Sequence, residues 1–100
     1  MRPESEISKC SDDIKVFMSK CVNLSENKGI AIDSGLKTIL EMLADLYAGI
    51  DKHENAESLS YLTWGIARLS GENSTLIRNN LVNELTTLMT DVERCLKKRA

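Results

Sequence analysis

Aromatic residues are scarce in this chain: one Phe, one Trp and two Tyr in 100 residues. Leu and Ile must therefore fill most of any core. Proline occurs once, at Pro3, and the five glycines are scattered singly. No GxGxxG or GxxxxGK[ST] run exists to cradle a phosphate through backbone N–H groups. No apolar run approaches the roughly 18–20 residues that a membrane span requires. The opening MRPESEISK lacks the apolar centre of a signal peptide, so the expected location is the cytoplasm. Basic charge is not in surplus either: 13 Lys and Arg stand against 15 Asp and Glu, for a net charge of −2. A phosphate-binding protein usually carries a basic face. Here the one dense basic run is Lys97–Lys98–Arg99, which makes nucleic acid an unfavoured partner. Three cysteines, an odd number, make no disulfide framework and agree with a reducing compartment.

What the chain does have is helical periodicity. From Leu36 to Ile50 the apolar residues Leu36, Ile39, Leu43, Leu46 and Ile50 are spaced 3, 4, 3, 4. That spacing keeps one stripe on one side of an α-helix. Ile32 extends the stripe backward, and Leu40, Tyr47 and Met42 widen it. So wide a stripe suits a helix packed against two neighbours.

The other segments repeat the pattern. Ile7, Cys10, Ile14, Phe17, Cys21 and Leu24, broadened by Met18 and Val22, predict a first helix over about 5–24. Pro3 suits a first turn, and Glu4 and Glu6 place negative charge at its favourable end. Ser25–Ile30 reads as a stop and loop, with Gly29 a candidate left-handed residue. Asp33 or Ser34 can cap the second helix, over about 33–50. After the polar Asp51–Glu54 connection, Asn55 is a candidate cap for a third helix over about 56–69, with the stripe Leu59, Leu62, Ile66, Leu69. Gly71 suits the position just past its end. Gly65 inside it costs about 1 kcal/mol relative to Ala and marks either a close approach or a tolerated defect. Asn73 or Ser74 opens a fourth helix over about 74–98, with the stripe Ile77, Leu81, Leu85, Leu88, Val92, Cys95 and Val82, Met89 and Leu96 beside it. The expected fold is a single all-α domain over 1–100, an antiparallel up-down-up-down four-helix bundle.

Chemistry is harder to find. Cys10, Cys21, Cys95 and His53 form a nominal zinc set. However, eleven residues of helix separate Cys10 from Cys21, about 16 Å at 1.5 Å per residue, and two sulfurs on one ion lie within about 4 Å. All three read instead as small buried hydrophobes. In an antiparallel bundle Cys10 and Cys95 share a layer, close enough to oxidise if their Cα atoms lie within about 7 Å. His53, the one histidine, lies in a polar connection beside no recognisable nucleophile, and no Glu-x-x-His pair suggests a di-iron site. The chain therefore reads as non-enzymatic, with no metal, cofactor or small-molecule substrate implied.

One feature departs from a simple bundle. With Leu59 at zero and 100° per residue, Leu62, Ile66 and Leu69 fall at about 300°, 340° and 280°, whereas Trp64, Arg68 and Tyr61 fall at about 140°, 180° and 200°. The one Trp, a Tyr and an Arg share the face opposite the aliphatic stripe, and these residue types are enriched at interface hot spots. Trp64 could instead belong to a wider buried face, or lie flat on the surface under the Arg68 stem.

The leading expectation is a cytoplasmic protein–protein interaction module of regulator, adaptor or chaperone type, which binds a partner protein or a second copy of itself through Tyr61, Trp64 and Arg68. A toxin-neutralising immunity protein is the alternative. In its outline of four helices the chain resembles the class IIa bacteriocin immunity proteins, though no motif carries the likeness. A nucleic-acid-binding regulator, drawing on Arg68, Arg78, Arg94 and the basic end, is a further alternative.

Overall fold

Caps and stops divide the chain into five helices. The structure, a computed structural model, describes residues 3–29 and 32–99, with side chains described over 7–29 and 32–98. The side chains of Glu4, Glu6 and Arg99, and all of Ile30, lie outside the described residues. The helices are α1 (Pro3–Lys28), α2 (Ser34–Asp51), α3 (Ala56–Glu72), α4 (Ser74–Arg78) and α5 (Val82–Arg99). The protein is all-α, a helical bundle, with no strand among the described residues.

Three helix starts use the expected cap residues. The Asp33 carboxylate accepts from the Leu36 N–H at 2.7 Å, Asn55 Oδ1 from the Glu57 N–H at 2.7 Å, and Asn73 Oδ1 from the Leu76 N–H at 3.0 Å. Each satisfies a backbone donor that the first helical turn leaves open. α1 runs four residues past its expected end, to Lys28, because Ser25–Lys28 is polar but still helical; Gly29 then takes the left-handed conformation at φ 66°. α3 also runs on, through Gly71 to Glu72, so Gly71 is helical rather than a residue beyond the end.

The expected fourth helix is two helices. Asn80 sits at φ 57°, the Asn80 N–H donates to Ile77 O at 3.2 Å, and the Leu81 N–H donates to Leu76 O at 2.9 Å. That bond pair is a Schellman stop, with Asn in the left-handed position where Gly is commoner. It brings α4 to an end at Arg78 and restarts the chain as α5. The apolar stripe shifts with it: Leu76 is fully buried, while Ile77 is 52% exposed. His53 ends α2 by the same motif, at φ 56°, with the His53 N–H on Ile50 O and the Glu54 N–H on Gly49 O.

The core is aliphatic, as the shortage of aromatics requires. Ile14, Phe17, Leu36, Ile39, Leu43, Leu46, Leu59, Ile66, Leu76, Leu85, Val92 and Leu96 are its largest fully buried side chains. All five expected stripe residues of α2 are buried; Ile32, 38% exposed, is not part of the stripe because the helix begins after it. Leu24 is half-buried and Val22 exposed, at the end of α1 where the stripe leaves the core.

α1 lies against α2 and α5, and α3 against α2, α4 and α5. α1 and α5 run antiparallel: Cys10 meets Cys95 at one end and Lys20 pairs with Glu84 at 2.8 Å toward the other. α2 and α3 do likewise, with Gly49 against Leu59 and Met42 against Gly65. The radius of gyration, 13.3 Å, is that of a well-packed chain of this length.

Candidate functional site

The orientation of α3 decides what the protein shows to its surroundings. Its buried residues are Leu59, Thr63, Ile66 and Ser70, spaced 4, 3, 4. The expected stripe ran through Leu62 and Leu69, but both are only half-buried. The helix is turned about half a residue step from the aliphatic stripe. Two small hydroxyl residues can take the inward positions because each satisfies itself within the helix. Thr63 Oγ1 donates to Ser60 O and Ser70 Oγ to Ala67 O, both at 2.7 Å. A hydrogen-bonded hydroxyl removes most of the penalty of burying it.

That orientation leaves Trp64 71% and Tyr61 72% exposed, with Arg68 exposed beside them. A core position for Trp64 is overturned. The indole N–H donates to Glu93 Oε1 on α5 at 3.3 Å, which tethers the ring at the rim of a shallow groove between α3 and α5. Thr63, Ala67, Met89 and Thr90 complete that groove. Glu57 extends the outer face by one turn, giving Glu57, Tyr61, Trp64, Arg68 at spacing 4, 3, 4. Glu57 falls at about 160° on the same helical wheel, but an acid is not among the residue types enriched at hot spots, so its place on this face carries no compositional signal.

Other large exposed apolar residues are Val16, Val22, Ile32 and Ile77. No two of them lie within one helical turn of each other in the sequence. Among the described residues, Tyr61 and Trp64 alone place two large exposed rings within one helical turn.

The cysteines form no ligand set. Cys10 and Cys95 bring their Sγ atoms to 3.6 Å, in the layer that antiparallel packing predicts, and both are buried thiols. Burial pushes the Cys10 thiol up to about 12, with the Cys95 sulfur and the charges of Asp91 and Asp13 adding to it. Burial, followed by the Glu84 charge, pushes Cys21 up to about 11. Thiols so protonated are poor nucleophiles. Among the described residues no group of three or more His, Cys, Asp or Glu is placed to hold a metal ion. His53 is exposed and borders an open groove with Ser8, Ser11, Asp12 and Asp51, but among the described residues no hydrogen bond links it to a serine or an aspartate. Arg94, one of the candidate nucleic-acid contacts, is held by Asp91 at 2.6 Å. No described helix is long and apolar enough to cross a membrane.

Set against known protein families, curated proteins and solved structures, the chain matches none.

Proposed function

We propose that this protein is a non-enzymatic interaction module, of the regulator, adaptor or chaperone type, that docks a protein through the outer face of α3. One observation carries the reading: Tyr61 and Trp64 are both more than two-thirds exposed, one turn apart, on a helix whose opposite face is locked into the core. Aromatics held on a rigid helix lose little conformational entropy on binding and give large contact area. Arg68 beside them adds a charge that can pair across an interface. The three buried thiols suit a reducing cytoplasm, where they would remain free.

Photo-crosslinking tests the reading. A benzophenone amino acid in place of Tyr61 is compared, in living cells, with one in place of Val22, an exposed apolar residue on α1. Adducts formed from the α3 position and not from α1 are expected. Equal adducts from both, or none from either, would refute docking through this face. Nucleic acid among the adducts, together with nucleic-acid binding by the purified protein that weakens steeply as salt is raised, would move the assignment to a phosphate-binding regulator.

A further inference from the structure

The outer stripe of α3 is complementary to its own reverse. It runs acid, aromatic, aromatic, base: Glu57, Tyr61, Trp64, Arg68. Laid antiparallel against an identical stripe, Glu57 falls opposite Arg68 and Tyr61 opposite Trp64, each pairing occurring twice. A single register satisfies both, because the two pairs share one midpoint, level with the peptide between Leu62 and Thr63. A parallel arrangement would set acid against acid and base against base.

We propose that a second copy of this chain is the partner, bound by antiparallel pairing of α3 with α3 about a two-fold axis at that midpoint. The proposal deepens the docking reading above and rests on it. Such an interface is isologous and closes at two copies. The four rings lie at its centre, where hot spots concentrate, and the charges flank them about 8 Å to either side along the helix. The charges are available for this. Glu57 and Arg68 are both exposed, and among the described residues neither forms an ion pair within the chain. The spacing 4, 3, 4 is that of a helix-pairing seam, here on the side facing away from the core.

The size of the contact sets its strength. A buried aromatic side chain covers roughly 150–250 Å², so four rings exposed as these are supply at most about 700 Å². With the adjoining helix surface the total reaches only the lower end of the range for specific interfaces, about 1,200 Å². The dimer is therefore reversible and depends on concentration.

The test is sedimentation equilibrium from sub-micromolar to near-millimolar protein, with Trp64 emission followed on the same samples. The wild-type chain is expected to pass from monomer to dimer as the emission moves to the blue. Glu57→Arg leaves a copy with a basic group at both ends of the seam, and Arg68→Glu one with an acid at both ends. Each variant alone is expected to dimerise at least about tenfold more weakly, because both end pairs become like-charged. An equimolar mixture is expected to regain wild-type affinity as a heterodimer. Trp64→Ala, which truncates an exposed ring and leaves the core untouched, is expected to weaken dimerisation by about tenfold or more. Far-UV circular dichroism checks that each variant is folded. A wild-type chain that stays monomeric throughout overturns the dimer. The docking reading then stands or falls on whether Tyr61 crosslinks to a different protein. A dimer indifferent to Trp64→Ala, or a mixture as weak as its components, also overturns the proposal, since the contact would lie elsewhere on the surface.

Discussion

Gly49→Ala should destabilise this protein, although the same exchange inside a helix ordinarily stabilises by about 1 kcal/mol. Gly49 is buried near the end of α2, where α3 comes close. A methyl group there would collide with Leu59 Cδ2 and stand 2.9 Å from Glu54 Oε2. Leu59 is fully enclosed and cannot give way without disturbing the core. Forcing an extra methyl into such a core costs about 1–3 kcal/mol, which exceeds the helical gain at most values and leaves a net loss of up to about 2 kcal/mol. Gly71→Ala is the control. It lies in α3 with nothing within 4 Å of the added carbon, and it should stabilise by a few tenths to about 1 kcal/mol. Urea unfolding followed at 222 nm gives both values. A double-mutant cycle isolates the cause. Leu59→Ala alone should cost about 2–5 kcal/mol, but in that background Gly49→Ala should become neutral or stabilising, because the new methyl then fills vacated space. If Gly49→Ala matches Gly71→Ala in the wild-type background, or if its penalty survives the loss of the Leu59 side chain, the contact between α2 and α3 is not what requires glycine.

Alkali should weaken the fold from about pH 9 upward. Burial pushes the Cys10 and Cys21 thiols up to about 12 and about 11, above the ordinary 9.0. Their stabilising contribution is full below the unfolded value and is lost as pH rises toward the folded ones, at no more than about 1.4 kcal/mol per pH unit for each thiol. Cys21→Ala should flatten that slope in urea titrations between pH 9 and 11, and an unchanged slope would assign it to other groups. At the acid end, Asp33 is held below its ordinary range chiefly by the Leu36 N–H and then by the Thr75 hydroxyl. Its contribution is present above the usual carboxylate value and lost as pH falls through the lowered one, so Asp33→Asn should make stability less steeply pH-dependent below pH 4. Asn73→Ala removes the cap on Leu76 and a donor to Asp33, and should cost about 1–2 kcal/mol in denaturant unfolding. Native protein should react with a thiol reagent only as fast as it opens, since all three cysteines are buried; rapid labelling of Cys10 or Cys95 would contradict their enclosure between α1 and α5.

The long helices were legible because their apolar residues repeat at 3 and 4, and because Asp33, Asn55 and Asn73 each stand one residue before a helical run that they can cap. The meeting of Cys10 with Cys95 came from antiparallel helices alone. The division of the last helix did not, because the step of four from Ile77 to Leu81 passes across the break as if the helix continued. Apolar spacing records which side a residue faces; it does not record that Asn80 has turned left-handed. The rotation of α3 was hidden for a related reason. Thr63 and Ser70 read as polar, yet each ties its hydroxyl to its own helix and so can enter the core in place of Leu62 and Leu69. The shared face of Tyr61, Trp64 and Arg68 was visible on a helical wheel, but the exposure of the rings depended on that rotation.

α4 has five residues, too few to hold a helix without help. Its own cap and stop are joined by interactions from elsewhere in the chain. Thr75 Oγ1 and Asn73 Nδ2 both donate to the Asp33 carboxylate at the head of α2, and Leu76 is the one side chain of the segment that the core encloses. A fluctuation that frays the first turn of α2 removes the acceptor of both bonds, so the α4 amides should exchange together with those at the head of α2. These two pieces, about forty residues apart in the chain, should behave as one cooperative unit at the low-stability end of the molecule.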